Sequence, residues 1–154
     1  MSTITDLLSV DHRRCDEHFA EAETAVGRGD WARAAGELAA FRAALERHLS
    51  AEESVLFPAL EAREPMAAGP TGVMREEHRH MRALLDELAR AVAARDAESY
   101  LGASETLLVL MQQHNAKEEH VLYPMSDRVL GAEAVAPLER ALADAQAHGD
   151  AATG

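Results

Sequence analysis

The chain has little of several things that usually point to a function. Among 154 residues there is one cysteine, Cys15, so no internal disulfide framework exists and nothing marks an oxidising compartment. Aromatic residues make up only 4% of the chain, which leaves little of the material from which sheets are built. No run approaches the ~18 to 20 consecutive apolar residues of a membrane span, and the start, MSTITDLLSVDHRR, has no basic region followed by a long apolar stretch. A soluble, cytoplasmic protein is expected. Blocks of Lys and Arg are also missing, and the net charge is -12. Nucleic acid and anionic membrane surfaces attract basic patches, so both are excluded as partners, and small molecules or metal ions fit better.

What is present favours helix. Alanine dominates, with Leu, Glu and Arg beside it, and 47% hydrophobic content suits one sizeable core. A single domain over residues 1–154 is expected. Ser, Thr and Asp near residues 3 to 6 cap a first helix that carries Leu7, Leu8, His12, Cys15 and Phe19 and stops at Gly27-Arg28-Gly29. Asp30 caps a second, whose apolar positions Leu38, Phe41, Leu45, Leu49, Val55 and Leu56 keep a helical period past Pro58. The stretch EPMAAGPTG, residues 64–72, reads as a loop. A third helix is expected over about Val73 to Ala94 and a fourth over about Asp96 to Leu130, ended by Gly131. Pro58 and Pro124 fall inside helical patterns and predict matched kinks or stops. Residues 132–147 suit a short fifth helix. The sum is an all-α, up-down-up-down four-helix bundle over about 4–130, with a C-terminal helix and tail over about 131–154.

The text HLSAEESVLFP at 48–58 returns as HNAKEEHVLYP at 114–124, with a Phe-to-Tyr exchange near its end. The same 66-residue offset places His12 on His78, His48 on His114 and Glu52 on Glu118. Each His-x-x-x-Glu pair puts imidazole and carboxylate on one helix face, a turn apart. Counted back from the two tight turns at 1.5 Å per residue, the four histidines sit at similar depth, ~24 to 30 Å. Six such side chains converging in an apolar bundle are costly unless protons or metal ions satisfy them. A single His-x-x-x-Glu pair on a helix is ordinarily a solvated face; the matched set argues for metal. Imidazole with carboxylate suits iron, manganese or zinc, and two glutamates shared by two ions, each with two histidines, make a dinuclear centre. Leu8, Cys15, Phe19, Leu45, Leu56, Met74, Met81, Leu85, Met111 and Leu122 flank the ligand positions at helical spacing and supply a dry wall, with Cys15 read as packing. Glu53 and Glu119 are placed to hold histidine N–H groups or to face solvent. His18, His80, His120 and His148 lack the register and are expected at the surface.

With these residues in hand, the chain resembles the hemerythrin family, specifically bacterial hemerythrin-like proteins with an HHE cation-binding repeat. The resemblance rests on His12, His48 with Glu52, His78, His114 with Glu118, and the EExVL[FY]P tails, and covers residues about 4 to 130. It implies a non-haem diiron centre in which both glutamates bridge, His12 and His48 serve one iron, and His78 and His114 serve the other. It also implies dioxygen, another diatomic molecule or peroxide as the small-molecule ligand, for oxygen binding or sensing. The alternative is a redox enzyme of peroxidase, nitric oxide-handling or iron-sulfur repair type, with an unidentified redox or signalling partner. One departure is visible: oxygen-carrying relatives have a further histidine one turn from the third-helix histidine, where this chain has Met74 and Arg82. Either water or another residue then completes the shell, or more coordination sites are open.

Overall fold

The computed structural model describes residues 2–143. Helix α1 spans Ile4–Gly27 and opens on a capping box, in which the Thr3 side chain accepts from Asp6 N–H while the Asp6 carboxylate accepts from Thr3 N–H. It ends at Arg28; Gly29 takes the left-handed conformation (φ 71°) that reverses the chain, and Asp30 caps α2, Trp31–Ala51. Helix α2 passes through a π-helical turn, Glu52–Leu56, into α3, Phe57–Arg63. After a 3-10 turn at Pro65–Ala67, α4 runs over Ala68–Ala93. The turn that follows repeats the first one 66 residues on: Arg95 stands where Gly29 stood, at φ 52°, and Asp96 caps α5, Ala97–Lys117. A second π-helical turn, Glu118–Leu122, leads into α6, Tyr123–Leu130, ended by Gly131 at φ 72°. A 3-10 turn at Ala132–Ala134 precedes a last helical segment over 135–143.

The chain is thus all-helical, with four long helices and a short C-terminal one, and among the described residues there is no strand. Two expectations need correction. The 64–72 stretch is a loop only at its start: α4 begins at Ala68 rather than Val73, because Gly69, Pro70 and Gly72 fall in its first turns, where N–H groups have no helical partner and a missing one costs little. Of the kink or stop expected at Pro58 and Pro124, the stop does not occur. Each follows a π turn in which the N–H of Phe57 or Tyr123 donates to the carbonyl of Glu52 or Glu118 five residues back, so each proline falls within the first turn of the continuing helix. The expected fifth helix is seen to residue 143; residues 144–147 and His148 lie outside the described residues.

Helix α1 packs on α2, α4 on α5, α2 on α4, and α1 on α5 and α6. The contacts have a consistent order. Asp127 accepts from the Ile4 and Thr5 N–H groups at one end of α1, and the Ser104 hydroxyl donates to Glu23 at the other. Between α2 and α4, Arg42 pairs with Asp86 and Arg82 with Glu46, and Arg75 of α4 pairs with Glu61 of α3. The apolar interior falls into two clusters. One is built on Phe19, Phe41, Leu45, Met81, Leu85, Tyr100 and Leu107, toward the tight turns. The other is built on Ile4, Leu8, Leu56, Phe57, Leu60, Met74 and Leu122, toward the π turns. Between them along every long helix lie buried ionisable residues: Asp11, His12, His48, Glu52, His78, His114 and Glu118. Each fully buried large apolar side chain contributes roughly 1.5 to 3 kcal/mol, and that gain must carry a layer of charges expensive to desolvate.

Candidate metal centre

The six ligand-type residues singled out by the repeat all meet in this layer, none more than 5% exposed. They form two overlapping groups, His12/His48/Glu52/Glu118 and Glu52/His78/His114/Glu118, each with its donor atoms within 4.8 Å of one another. The two glutamates belong to both groups. The π turns help to place them: each widens the helix just where Glu52 or Glu118 enters the interior.

Every histidine is gripped from outside by a carboxylate. His12 Nδ1 is 2.9 Å from Glu119, His48 Nδ1 is 2.8 Å from Asp11, His78 Nδ1 is 2.7 Å from Glu53, and His114 Nδ1 is 2.8 Å from Glu77. Ionised carboxylates only accept, so each Nδ1 carries its hydrogen outward and each Nε2 faces the centre. Three of these carboxylates are anchored in turn: Glu53 by Arg82 at 2.9 Å, Glu77 by Lys117 at 2.5 Å, and Asp11 by Arg14 at 3.4 Å. Such outer partners fix ring orientation and raise ligand basicity.

Inside the layer the accounting is incomplete. Among the described residues, five buried side-chain nitrogens or oxygens lack a hydrogen-bond partner, and four of them are Glu52 Oε1, His78 Nε2, His114 Nε2 and Glu118 Oε2. His78 Nε2 and His114 Nε2 do lie 3.2 Å from Glu52 and Glu118 oxygens, but at angles that make no hydrogen bond. Unpartnered atoms from both glutamates and both histidines of one group, gathered in one space, fit a cation as their common partner.

Electrostatics agree. Burial alone would discharge the His48 ring, but the Glu52 charge and the bond to Asp11 override it and hold its pKa well above the usual value. His114 is likewise opposed by burial, yet Glu118 raises it to about 9. Burial drives the Glu52 carboxyl upward, while His48 and neighbouring hydrogen bonds hold it well below the ordinary range. In the metal-free chain, protons on imidazole stand in for positive charge the carboxylates require.

Other candidates fall elsewhere. Cys15 is buried in the cluster toward the tight turns, outside both donor groups, and burial pushes its thiol up to about 11. His80 and His120 are exposed and His18 is half-buried. The apolar flanking residues are all buried. Sequence reasoning gave Asp11 and Glu77 no part in the site, although they precede His12 and His78 and share the 66-residue offset. It also passed over Tyr123, noted only as an exchange for Phe57, whose hydroxyl lies within hydrogen-bond distance of Glu52, Glu118, His12 and His48.

Fold and site together define a helical protein with a buried histidine-carboxylate centre suited to cations. The model of the hemerythrin HHE cation binding domain matches residues 3–126, and the chain belongs to that family. No curated protein and no solved structure matches it.

Proposed function

We infer that the chain is a single-domain, up-down-up-down bundle holding a non-haem diiron centre, with dioxygen as its small-molecule ligand. The observation that carries this reading is the sharing of Glu52 and Glu118 between two donor groups, each completed by two histidines. Two histidines and two shared carboxylates per ion is the division expected of a carboxylate-bridged pair, and the donor set suits iron. The order of contacts along α1, α2, α4 and α5 supports the bundle.

His12 and His48 would hold one ion and His78 and His114 the other, with Glu52 and Glu118 available to both. Ferrous ions at these positions supply the electrons that dioxygen takes up. The protein's part is to orient and to exclude water. Asp11, Glu53, Glu77 and Glu119 lock the four rings. An apolar pocket of about 270 Å³, lined by Pro70, Val73, Met74, Lys117, Val121 and Leu122, reaches Met74 and Leu122, each four residues from a ligand. A small uncharged molecule would approach from this side.

A second reading, a diiron redox enzyme, has its own support. On either side of His78, one turn away, stand Met74, in the apolar cluster, and Arg82, tied to Glu53 and Glu46. Neither adds a histidine to the shell, so the centre has room for a reactant such as peroxide.

Iron analysis of the reconstituted protein should give about two ions per chain. A reproducible value near one, or iron content unchanged when Glu52 and Glu118 are both replaced by Ala, overturns the dinuclear reading. Air added to the ferrous protein then separates the functions. A visible band that persists and vanishes on deoxygenation supports oxygen binding; immediate conversion to a stable ferric form that turns over peroxide supports the enzyme.

A further inference from the structure

At one buried point facing the centre the internal repeat exchanges an apolar side chain for one that carries an oxygen. Phe57 and Tyr123 are equivalent positions, each the first residue after a π turn and each fully buried. Their rings do the same job: Phe57 stacks on His78 with centroids 5.8 Å apart at 21°, and Tyr123 on His12 at 5.6 Å and 25°. What differs is one oxygen.

That oxygen has four neighbours, at 2.6 Å to Glu52 Oε2, 2.9 Å to Glu118 Oε1, 3.1 Å to His12 Nε2 and 3.2 Å to His48 Nε2. A hydroxyl has one hydrogen to give. The Nδ1 atoms of His12 and His48 face Glu119 and Asp11, so both Nε2 atoms are turned toward the hydroxyl. One phenol oxygen is thus enclosed by two ring nitrogens and two carboxylate oxygens, all of them atoms that ligate metal ions. In the other half the count differs: Phe57 offers no oxygen, and it is His78 Nε2 and His114 Nε2 that stand unpartnered. Donors held about 2.0 to 2.1 Å from one ion at right angles stand about 3 Å apart, and the four separations around the hydroxyl fall about that value.

We propose that Tyr123 is a metal ligand, its oxygen joining His12 and His48 on one ion, so that the two metal positions of this chain are chemically unequal. The inference rests on the dinuclear reading above. On coordination the O–H bond breaks, the proton leaves to the buffer, and the oxygen lone pair goes to the ion; no oxidation change accompanies it. One position then has an anionic oxygen that the other, backed by Phe57, lacks.

The chain has two tyrosines, and the second, Tyr100, lies in the apolar cluster toward the tight turns, so it serves as an internal control. Ferric iron bound to a phenolate gives a visible charge-transfer band whose resonance Raman spectrum carries phenolate ring vibrations. Air-oxidised, iron-loaded wild type and Tyr100→Phe should show these vibrations, and Tyr123→Phe should lose them while retaining iron. Phe57→Tyr, which supplies an equivalent oxygen on the other half, should roughly double the band per chain. Wild type with about two irons but no phenolate vibrations overturns the proposal and leaves the dinuclear reading standing, with Tyr123 reduced to a hydrogen-bond partner. Wild type that takes up no iron overturns both. If Tyr123→Phe fails to fold, the wild-type spectrum and the Phe57→Tyr gain still decide.

Discussion

At the scale of single residues, the centre is a contest between protons and cations for the same lone pairs. His114 shows it most plainly, because its ring is buried against Glu118 and its pKa lies at about 9 rather than 6.5. A pKa raised by folding contributes stability that is fully present below the unfolded value and is lost as pH rises through the folded value. The metal-free protein should therefore melt progressively lower between about pH 6.5 and 9.5, and His114→Ala should flatten that decline. In the iron-loaded protein the ring nitrogen is occupied and the same window should be nearly level. Metal uptake runs the other way: below pH 9 an ion must displace the proton, so affinity should rise with pH across the window. Melts by circular dichroism and metal titrations at four or five pH values check both slopes. A metal-free melting temperature that rises through this window would contradict the pairing of His114 with Glu118.

At the scale of elements, the repeat extends past the ligands into the turns. Gly29 and Arg95 occupy the same left-handed position between a helix end and an Asp cap, at φ 71° and 52°. Glycine adopts this conformation freely, whereas a residue with a Cβ meets the following carbonyl at a cost of roughly 1 to 2 kcal/mol. Arg95→Gly should accordingly stabilise the protein by about 1 kcal/mol, offset in part by glycine's greater freedom when unfolded, which corresponds to roughly 2 to 4 °C for a chain of this size. The converse change, Gly29→Arg, should lower the melting temperature by a similar amount. Thermal melts of the two variants test the pair, and a fall in the first would show that Arg95 has a role its backbone alone does not reveal. The π turns belong to this scale as well, since they keep helices continuous across Pro58 and Pro124 and bring a glutamate inward at each.

For the whole molecule, the site separates two apolar clusters that are otherwise the source of stability. Without a cation the layer between them holds unpartnered atoms on Glu52, His78, His114 and Glu118, each of which costs roughly 1 to 3 kcal/mol when left unsatisfied. An ion that binds only the folded chain adds RT ln(1 + [M]/Kd), about 4 kcal/mol at a thousandfold excess over Kd, against a typical total of ~5 to 15 kcal/mol. Iron should raise the melting temperature strongly, and hydrogen exchange should slow most around 48–52 and 114–118. Equal melting temperatures with and without iron, and unchanged exchange in those two segments, would show that these side chains are not where the ion binds.

Much of this was legible in the sequence because it depends on periodicity. A 66-residue offset is enough to pair His12 with His78, His48 with His114 and Glu52 with Glu118, and helical spacing puts each His-x-x-x-Glu pair on one face. Capping residues Thr3, Asp30 and Asp96 and the terminator Gly131 announce helix ends by local chemistry alone. What the chain could not announce is whatever depends on a partner from another helix. Asp11 and Glu77 acquire a role only where α2 and α5 bring His48 and His114 against them. Pro58 and Pro124 announced kinks or stops, but the sequence does not display the extra residue in each preceding π turn that lets the helix continue. Tyr123 looked like a conservative exchange for Phe57, since ring packing is the same in both halves, and only the convergence of α1, α2 and α5 on its hydroxyl sets it apart. Local spacing thus determined which residues carry the chemistry. Tertiary contact decided which of them touch, because four polar atoms from three parts of the chain meet one oxygen only when the bundle closes.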